Sequence, residues 1–230
     1  MERTYLFAGA SSFIAKATAR SAKQAQHHTI GISTKSDIEG MDVLHTVDSY
    51  DLEKLPAIDQ AIDGLVYFPG SINLKPFHRL TADELLIDFK VNALGAAQVI
   101  QKYLPQLKRG SNPSIVLFSS VAAQQGMTFH ASIAMAKAAV EGLTKSLAAE
   151  FAPFIRVNCI APSLMNTPLA ERFLNTPEKL EASEKRNPLR KIGQAHEVAE
   201  VVLFLLSEQA SWITGQTLAI DGGMSTLRTG

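Results

Sequence analysis

Cysteine is nearly missing from this chain. Cys159 is the single one in 230 residues, so no disulfide can close within the chain and a disulfide-built scaffold is excluded. A reducing, cytoplasmic setting is the expectation. A surplus of charge is missing as well, since 22 basic residues stand scattered among 22 acidic ones. Binding a phosphate backbone calls for a basic excess or stripe, so no nucleic-acid partner is expected. The longest apolar run, Val201 to Leu206, falls far short of the ~20 residues of a membrane span. Met1-Glu2-Arg3-Thr4 leads into a strand-like run and not a secretory one, so no membrane partner is expected either. Histidines 27, 28, 45, 78 and 196 form no metal-ligand spacing with one another or with the cysteine, and no metal is expected. Tyrosine is scarce, with four at positions 5, 50, 67 and 103. What is present in quantity is apolar: 46% of residues are hydrophobic, enough for one domain over 1–230 with a sizeable core.

Short β-rich runs alternate with helical patterns from end to end. Strands are predicted at 4–8, 28–33, 42–47, 64–68, 114–119, 155–160 and 217–220, with helices at about 14–26, 52–62, 81–103, 133–151 and 197–206. Thr81-Ala82-Asp83-Glu84 is a capping box that opens the 81–103 helix. Strand, crossover helix and parallel strand join right-handedly, so this order builds an α/β fold, a three-layer doubly wound parallel sheet of Rossmann type. Ligands of such sheets bind beyond the carboxyl ends of the strands, where strand order reverses.

The first strand runs into Ala8-Gly9-Ala10-Ser11-Ser12-Phe13-Ile14-Ala15 and then a helix. A helix N-terminus after a tight turn offers unpaired amides and a partial positive charge to a phosphate. The G-x-G-x-x-G spacing is absent, and a small-residue turn can also be a plain connection. At the end of the second strand, Ser33-Thr34-Lys35-Ser36 places hydroxyls and a cation where a carboxylate would repel a 2′-phosphate. NADP is therefore favoured over NAD, with an ordinary polar turn as the alternative.

These segments, with Leu65-Val66-Tyr67-Phe68-Pro69-Gly70, Val91-Asn92-Ala93-Leu94-Gly95, Ser114 to Ser120, Arg156-Val157-Asn158-Cys159-Ile160-Ala161-Pro162 and Ile213-Thr214-Gly215 with Asp221-Gly222-Gly223, resemble the short-chain dehydrogenase/reductase family in order and spacing. The resemblance implies a nicotinamide-dependent oxidoreductase acting on a small carbonyl, alcohol or enoyl substrate. It assigns cofactor contacts to Gly9, Ser11, Ser12, Phe13, Ile14, Ser33, Thr34, Lys35, Asp48, Pro69, Gly70, Lys137, Pro162, Met165 and Thr167. A substrate loop falls at about 162–190. A homodimer or homotetramer would form through the helices around 81–103 and 133–151, where Ala131, Ala134, Ala138 and Gly142 suit close packing. The cofactor loop departs from the family's T-G-x-x-x-G-x-G at two glycines, Phe13 and Ala15. If φ stays positive at Phe13, its Cβ adds about 1–2 kcal/mol, and its ring covers or blocks the pyrophosphate.

Carbonyl reduction needs a proton donor, a group that polarises the carbonyl, and a cation that holds the ribose and lowers the donor's pKa. By resemblance these are Tyr, Ser and Lys, with an Asn holding a relay water. Ser120, Lys137 and Asn92 fit, but the tyrosine position four before Lys137 holds Ile133, which transfers no proton. Losing a general acid typically removes ~10²–10⁴ in rate. His130, seven before Lys137, matches the Y-x₆-K spacing of the related enoyl reductases and is the substitute donor to weigh; Tyr67 is a second. Ser132 is a hydroxyl with no evident base. The rival expectation is a catalytically silent NADP(H)-binding or interaction protein on the same fold.

Overall fold

Alternate residues of the first strand, β1 (Thr4–Ala8), bury into opposite sides of one sheet. Tyr5 and Phe7 join one core cluster, Leu6 and Ala8 the other. A strand apolar on both faces belongs in a parallel sheet covered by helices on each side. That sheet is completed by β2 (His28–Ser33), β3 (Val43–Thr46), β4 (Gly64–Tyr67), β5 (Ser114–Phe118), β6 (Arg156–Pro162) and β7 (Thr217–Ile220). Strand order is β3-β2-β1-β4-β5-β6-β7 and every pairing is parallel. The fold is thus the doubly wound Rossmann sheet read from the sequence. This computed structural model describes residues 2–228. Met1, Thr229 and Gly230, at the ends of the domain expected over 1–230, lie outside the described residues.

The helices are α1 (Phe13–Gln24), α2 (Ala82–Phe89), α3 (Gly95–Leu107), α4 (Ala131–Phe151), α5 (Glu171–Leu174), α6 (Pro177–Arg186) and α7 (Ala195–Leu206). On one side α1 and α7 bury Ala15, Ala19, Ala22, Val198, Val202 and Leu206 against Phe7, Val66, Val116 and Ile160. On the other, α3 and α4 bury Ala96, Ile100, Tyr103, Val140 and Ala148 against Leu6, Leu65, Ile115 and Val157. Small residues on α1 and α4 let the helix axes approach the sheet closely, and each buried Leu, Ile or Phe contributes about 1.5–3 kcal/mol. Cys159 sits in this core, its thiol pushed up to about 12 by burial, and among the described residues no helix is long and apolar enough to cross a membrane.

Two elements differ from expectation. The helix predicted over 52–62 is one 3₁₀ turn, Leu52–Lys54. Leu55, held extended before Pro56, leaves the helical region, and α3 then takes the extended chain's carbonyls: Tyr103 donates to Pro56 O at 2.9 Å and Gln106 to Ile58 O at 2.8 Å. The long helix expected over 81–103 starts on its capping box, Thr81 with Glu84, but widens into a π segment, Lys90–Leu94, between α2 and α3. The Gly95 amide reaches back to Lys90 O, and such a bulge leaves carbonyls short of donors. Asn92 Nδ2 satisfies Asp88 O at 2.8 Å and the Tyr67 hydroxyl satisfies Val91 O at 2.7 Å. Bulges of this kind concentrate at functional sites.

Candidate active site

Strand order reverses between β1 and β4, and a cavity of about 930 Å³ opens beyond their carboxyl ends. The loop after β1 forms its floor. Gly9 has φ +82°, and a Cβ there would lie 2.6 Å from Pro69 Cδ, so only glycine fits that turn. Ser12 opens α1 without capping it by its side chain. Among the described residues the amides of Phe13, Ile14 and Ala15 find no protein acceptor, and Ser11, Ser12, Phe13 and Ile14 all line the cavity. Three open donors at the start of a twelve-residue helix fit an anionic pyrophosphate. The strain expected at Phe13 does not arise, because it is the first residue of α1 and keeps negative φ. Its ring stands half exposed at the cavity rim. Ala15 turns into the core.

At the far end of β2, Thr34, Lys35 and Asp48 line the cavity. Ser33 does not. It is fully buried, and its hydroxyl accepts from the Lys35 amide at 2.9 Å, which folds the turn and is not offered to a ligand. An unforeseen ion pair borders this end: Lys90 on the π segment reaches Asp51 at 3.1 Å, and both line the cavity.

The central residues converge at Gly70. A Cβ on Gly70 would sit 3.3 Å from Asn92 Oδ1 and 3.4 Å from Lys137 Nζ, so its absence keeps that space open. Lys137, in α4, is 7% exposed and donates to Phe118 O at 2.8 Å. Burial pushes its ammonium down to about 8, so its proton is held less tightly than that of an exposed lysine. Asn92 Oδ1 is buried and has no hydrogen-bond partner, the signature of an acceptor waiting for a bound water or hydroxyl. Ser120 caps a 3₁₀ turn, accepting from Ala122 N at 3.2 Å, and faces the cavity with its own proton uncommitted. Pro69, Pro162, Met165 and Thr167 also line the cavity. Asn92 itself touches it only through its neighbours.

Neither substitute proton donor reaches this centre as read from the sequence. His130 is the N-cap of α4, its Nδ1 lies 2.7 Å from Thr128 O, and it is not among the cavity-lining residues. Tyr67 lines the cavity, but its hydroxyl proton is held by Val91 O. Burial raises its pKa far above the ordinary tyrosine range. A Cβ on Gly95 would fall 2.3 Å from the Tyr67 Oη, which explains the glycine at the end of Asn92-x-x-Gly95. Ile133 is buried and lines the cavity at the position where the acid was sought. Ser71 was missed altogether: it faces the cavity beside Gly70, and no motif marks it.

A family model described as enoyl-(acyl carrier protein) reductase matches residues 8–225. Among curated proteins the chain is similar to L-xylulose reductase of Bos taurus, 32% identical over 234 residues that cover 96% of each chain. It is also similar to 3-oxoacyl-(acyl-carrier-protein) reductase of Thermotoga maritima, 40% identical over 156 residues, 63% of this chain and 62% of that one. Among solved structures, ligand-free aldohexose dehydrogenase of Thermoplasma acidophilum matches with a TM-score of 0.89 at 27% identity, covering 100% of this chain and 97% of that chain.

Proposed function

The chain belongs to the short-chain dehydrogenase/reductase family, and from that premise we propose that it is an NADP-dependent oxidoreductase of a small alcohol, carbonyl or enoyl compound, working without the tyrosine such a site is expected to hold. The observation that carries this reading is the convergence of Ser120 and Lys137 with the open amides of α1 in one cavity. A bound nicotinamide cofactor supplies or accepts the hydride. The rest falls to the chain. The α1 amides hold the pyrophosphate, and Thr34 with Lys35 takes the 2′-phosphate. Lys137 holds the ribose hydroxyls, and Ser120 donates to the substrate oxygen, where charge develops. Leu164, Met165 and Leu169, from the segment after β6, give the cavity an apolar wall that excludes water.

Titration of the protein with NADPH, followed by nicotinamide fluorescence, tests the foundation. Sub-millimolar binding, tighter for NADPH than for NADH, is expected; no fluorescence change at that concentration would refute the reading. Ile133 supports the rival, a silent NADP(H)-binding protein. Turnover of any alcohol, carbonyl or enoyl compound that is lost in Lys137→Ala sinks that rival. Assembly through α2 and α4 is supported by their exposed apolar residues Leu86, Ile87 and Met135, which leave that face without a covering. Light scattering is expected to report a dimer or tetramer, and a monomer would remove this part.

A further inference from the structure

Between the loop after β4 and the start of α4 lies a buried carboxylate that the site described above leaves without a task. Asp88, near the end of α2, is 2% exposed, and no ion pair reaches it among the described residues. Ser71 Oγ donates to its Oδ1 at 2.5 Å and Ser132 Oγ donates to its Oδ2. Asn92 Nδ2 donates to Ser71 Oγ at 2.9 Å, which turns the Ser71 proton toward the carboxylate. Each carboxylate oxygen of Asp88 thus has a serine hydroxyl as partner, and one of those hydroxyls is held in place by Asn92, an arrangement in which a carboxylate accepts. A buried charge without a cation is costly, and an apolar side chain in its place would avoid that cost. Ser71 is partly buried and lines the cavity next to Gly70, the residue on which Asn92 Oδ1 and Lys137 Nζ close. One hydroxyl therefore touches the cavity on one side and a buried base on the other. Ser132, a hydroxyl without a base in the sequence, finds that base here.

We propose that Ser71 and Asp88 form the proton relay of this site and take over the acid–base work that Ile133 cannot do. The inference rests on the oxidoreductase reading above. In alcohol oxidation the substrate O–H proton passes to Ser71 Oγ while the proton of Ser71 passes to Asp88 Oδ1. The electron pair of the adjacent C–H bond leaves as hydride to an oxidised nicotinamide cofactor. The products are the carbonyl compound, the reduced cofactor and a neutral Asp88 acid; carbonyl reduction runs the same transfers backward. Ser71 touches the substrate, and Asp88 acts through it. Besides the two serines, the titratable or charged groups on the elements packed against Asp88 are His130 at the start of α4, Lys137, Glu141, Lys145 and Glu150 on α4, Lys90 on the π segment, paired with Asp51, and, on its own helix, Asp83 and Glu84, the latter paired with Lys75 at 2.8 Å. None of them bonds to it.

The test compares wild type, Ser71→Ala and Asp88→Asn across a panel of secondary alcohols with NADP, from pH 5 to 9. Ser71→Ala is expected to lower kcat by ~10²–10⁴-fold while NADPH affinity, read by fluorescence, stays within twofold. Asp88→Asn is expected to show the same loss and to change the shape of the kcat profile against pH. A readout independent of turnover is the infrared difference between wild type and Asp88→Asn at pH 7, expected to show an ionised carboxylate. Should Asp88→Asn fail to fold, Ser71→Ala and its pH profile decide alone. Turnover by Ser71→Ala within threefold of wild type, with the pH profile unchanged, overturns the relay and leaves the oxidoreductase reading standing. A protonated Asp88 at pH 7 overturns it too. No turnover by wild type of any alcohol or carbonyl compound overturns the relay and the parent reading together.

Discussion

Raising the pH from 7 to 9.5 should stabilise this protein through Lys137, and a Lys137→Met variant should lack that gain. Burial pushes the Lys137 ammonium from 10.5 down to about 8. Between those values the unfolded chain holds a proton that the folded chain has released, so the unfolding free energy rises with pH by about 1.4 kcal/mol per unit. The contribution is flat below about 8 and complete near 10.5. From pH 7 to 9.5 it amounts to about 2 kcal/mol. Methionine has similar volume and no charge. It leaves Phe118 O, which Lys137 Nζ now reaches at 2.8 Å, without its donor, at a cost of about 1–3 kcal/mol that does not depend on pH. The difference between wild type and variant therefore isolates the titration. Cys159 and Tyr50, both pushed up to about 12 by burial, lie outside the window. Urea denaturation at pH 7, 8, 9 and 9.5 measures the difference, which should grow by about 2 kcal/mol in favour of wild type. A difference that stays level or shrinks would show that the ammonium is solvated and that Lys137 is not buried in the cavity wall. The same deprotonation should weaken NADPH binding above pH 8, because the neutral amine loses its hold on the ribose.

Gly9→Ala forces a left-handed φ of +82° on an alanine and brings its Cβ to 2.6 Å from Pro69 Cδ; a loss of about 2–4 kcal/mol in urea denaturation is expected, together with weakened NADPH binding, and a neutral result would contradict the loop geometry. Gly95→Ala gains helix propensity but drives its Cβ to 2.3 Å from Tyr67 Oη. It should cost about 1–3 kcal/mol, part of which Tyr67→Phe in the same chain should recover; a double variant no better than the single one counts against the clash. Lys35→Glu should weaken NADPH binding at least ~10-fold and leave NADH unchanged, since a carboxylate repels only the 2′-phosphate; equal losses for both would remove Lys35 from that role. Ile133→Tyr should create carbonyl reductase activity beside Ser120 and Lys137, and an inert variant with normal NADPH affinity would refute it.

Legibility in the sequence tracks whether a residue's chemistry depends on its own type or on its neighbours. The strands were readable because their apolar runs are local, and the capping box at Thr81 because its two partners lie three residues apart. Pro56 undid the 52–62 helix through a restriction that is also local but was outweighed by the apolar spacing around it. Ser33 went wrong for a different reason: a hydroxyl at a strand end looks like a ligand donor, yet the Lys35 amide takes it. His130 had the right spacing for a second proton donor, but spacing along a helix does not carry to a residue that caps it.

Ile133 stands out in the sequence because the family pattern names a tyrosine at that position. A replacement had no such marker. Ser71, Asp88 and Ser132 come from three separate segments, 17 and 44 residues apart in the two bonds that join them. As single residues they read as a loop serine, a helix aspartate and a serine without a base. Only packing α2 against α4 and the loop after β4 turns them into a base with two donors. The π segment is what brings them together, since it places Asn92 so that one amide serves both Asp88 O and Ser71 Oγ. A carboxylate buried beside Gly70 and Asn92 is costly unless its bonds to Ser71 and Ser132 or a proton-transfer role offset that cost. The relay variants therefore bear on the silent-protein reading as well: if Ser71→Ala and Asp88→Asn change neither turnover nor its pH profile, the buried charge has no function to offset its cost, and the case for a working proton donor falls with it.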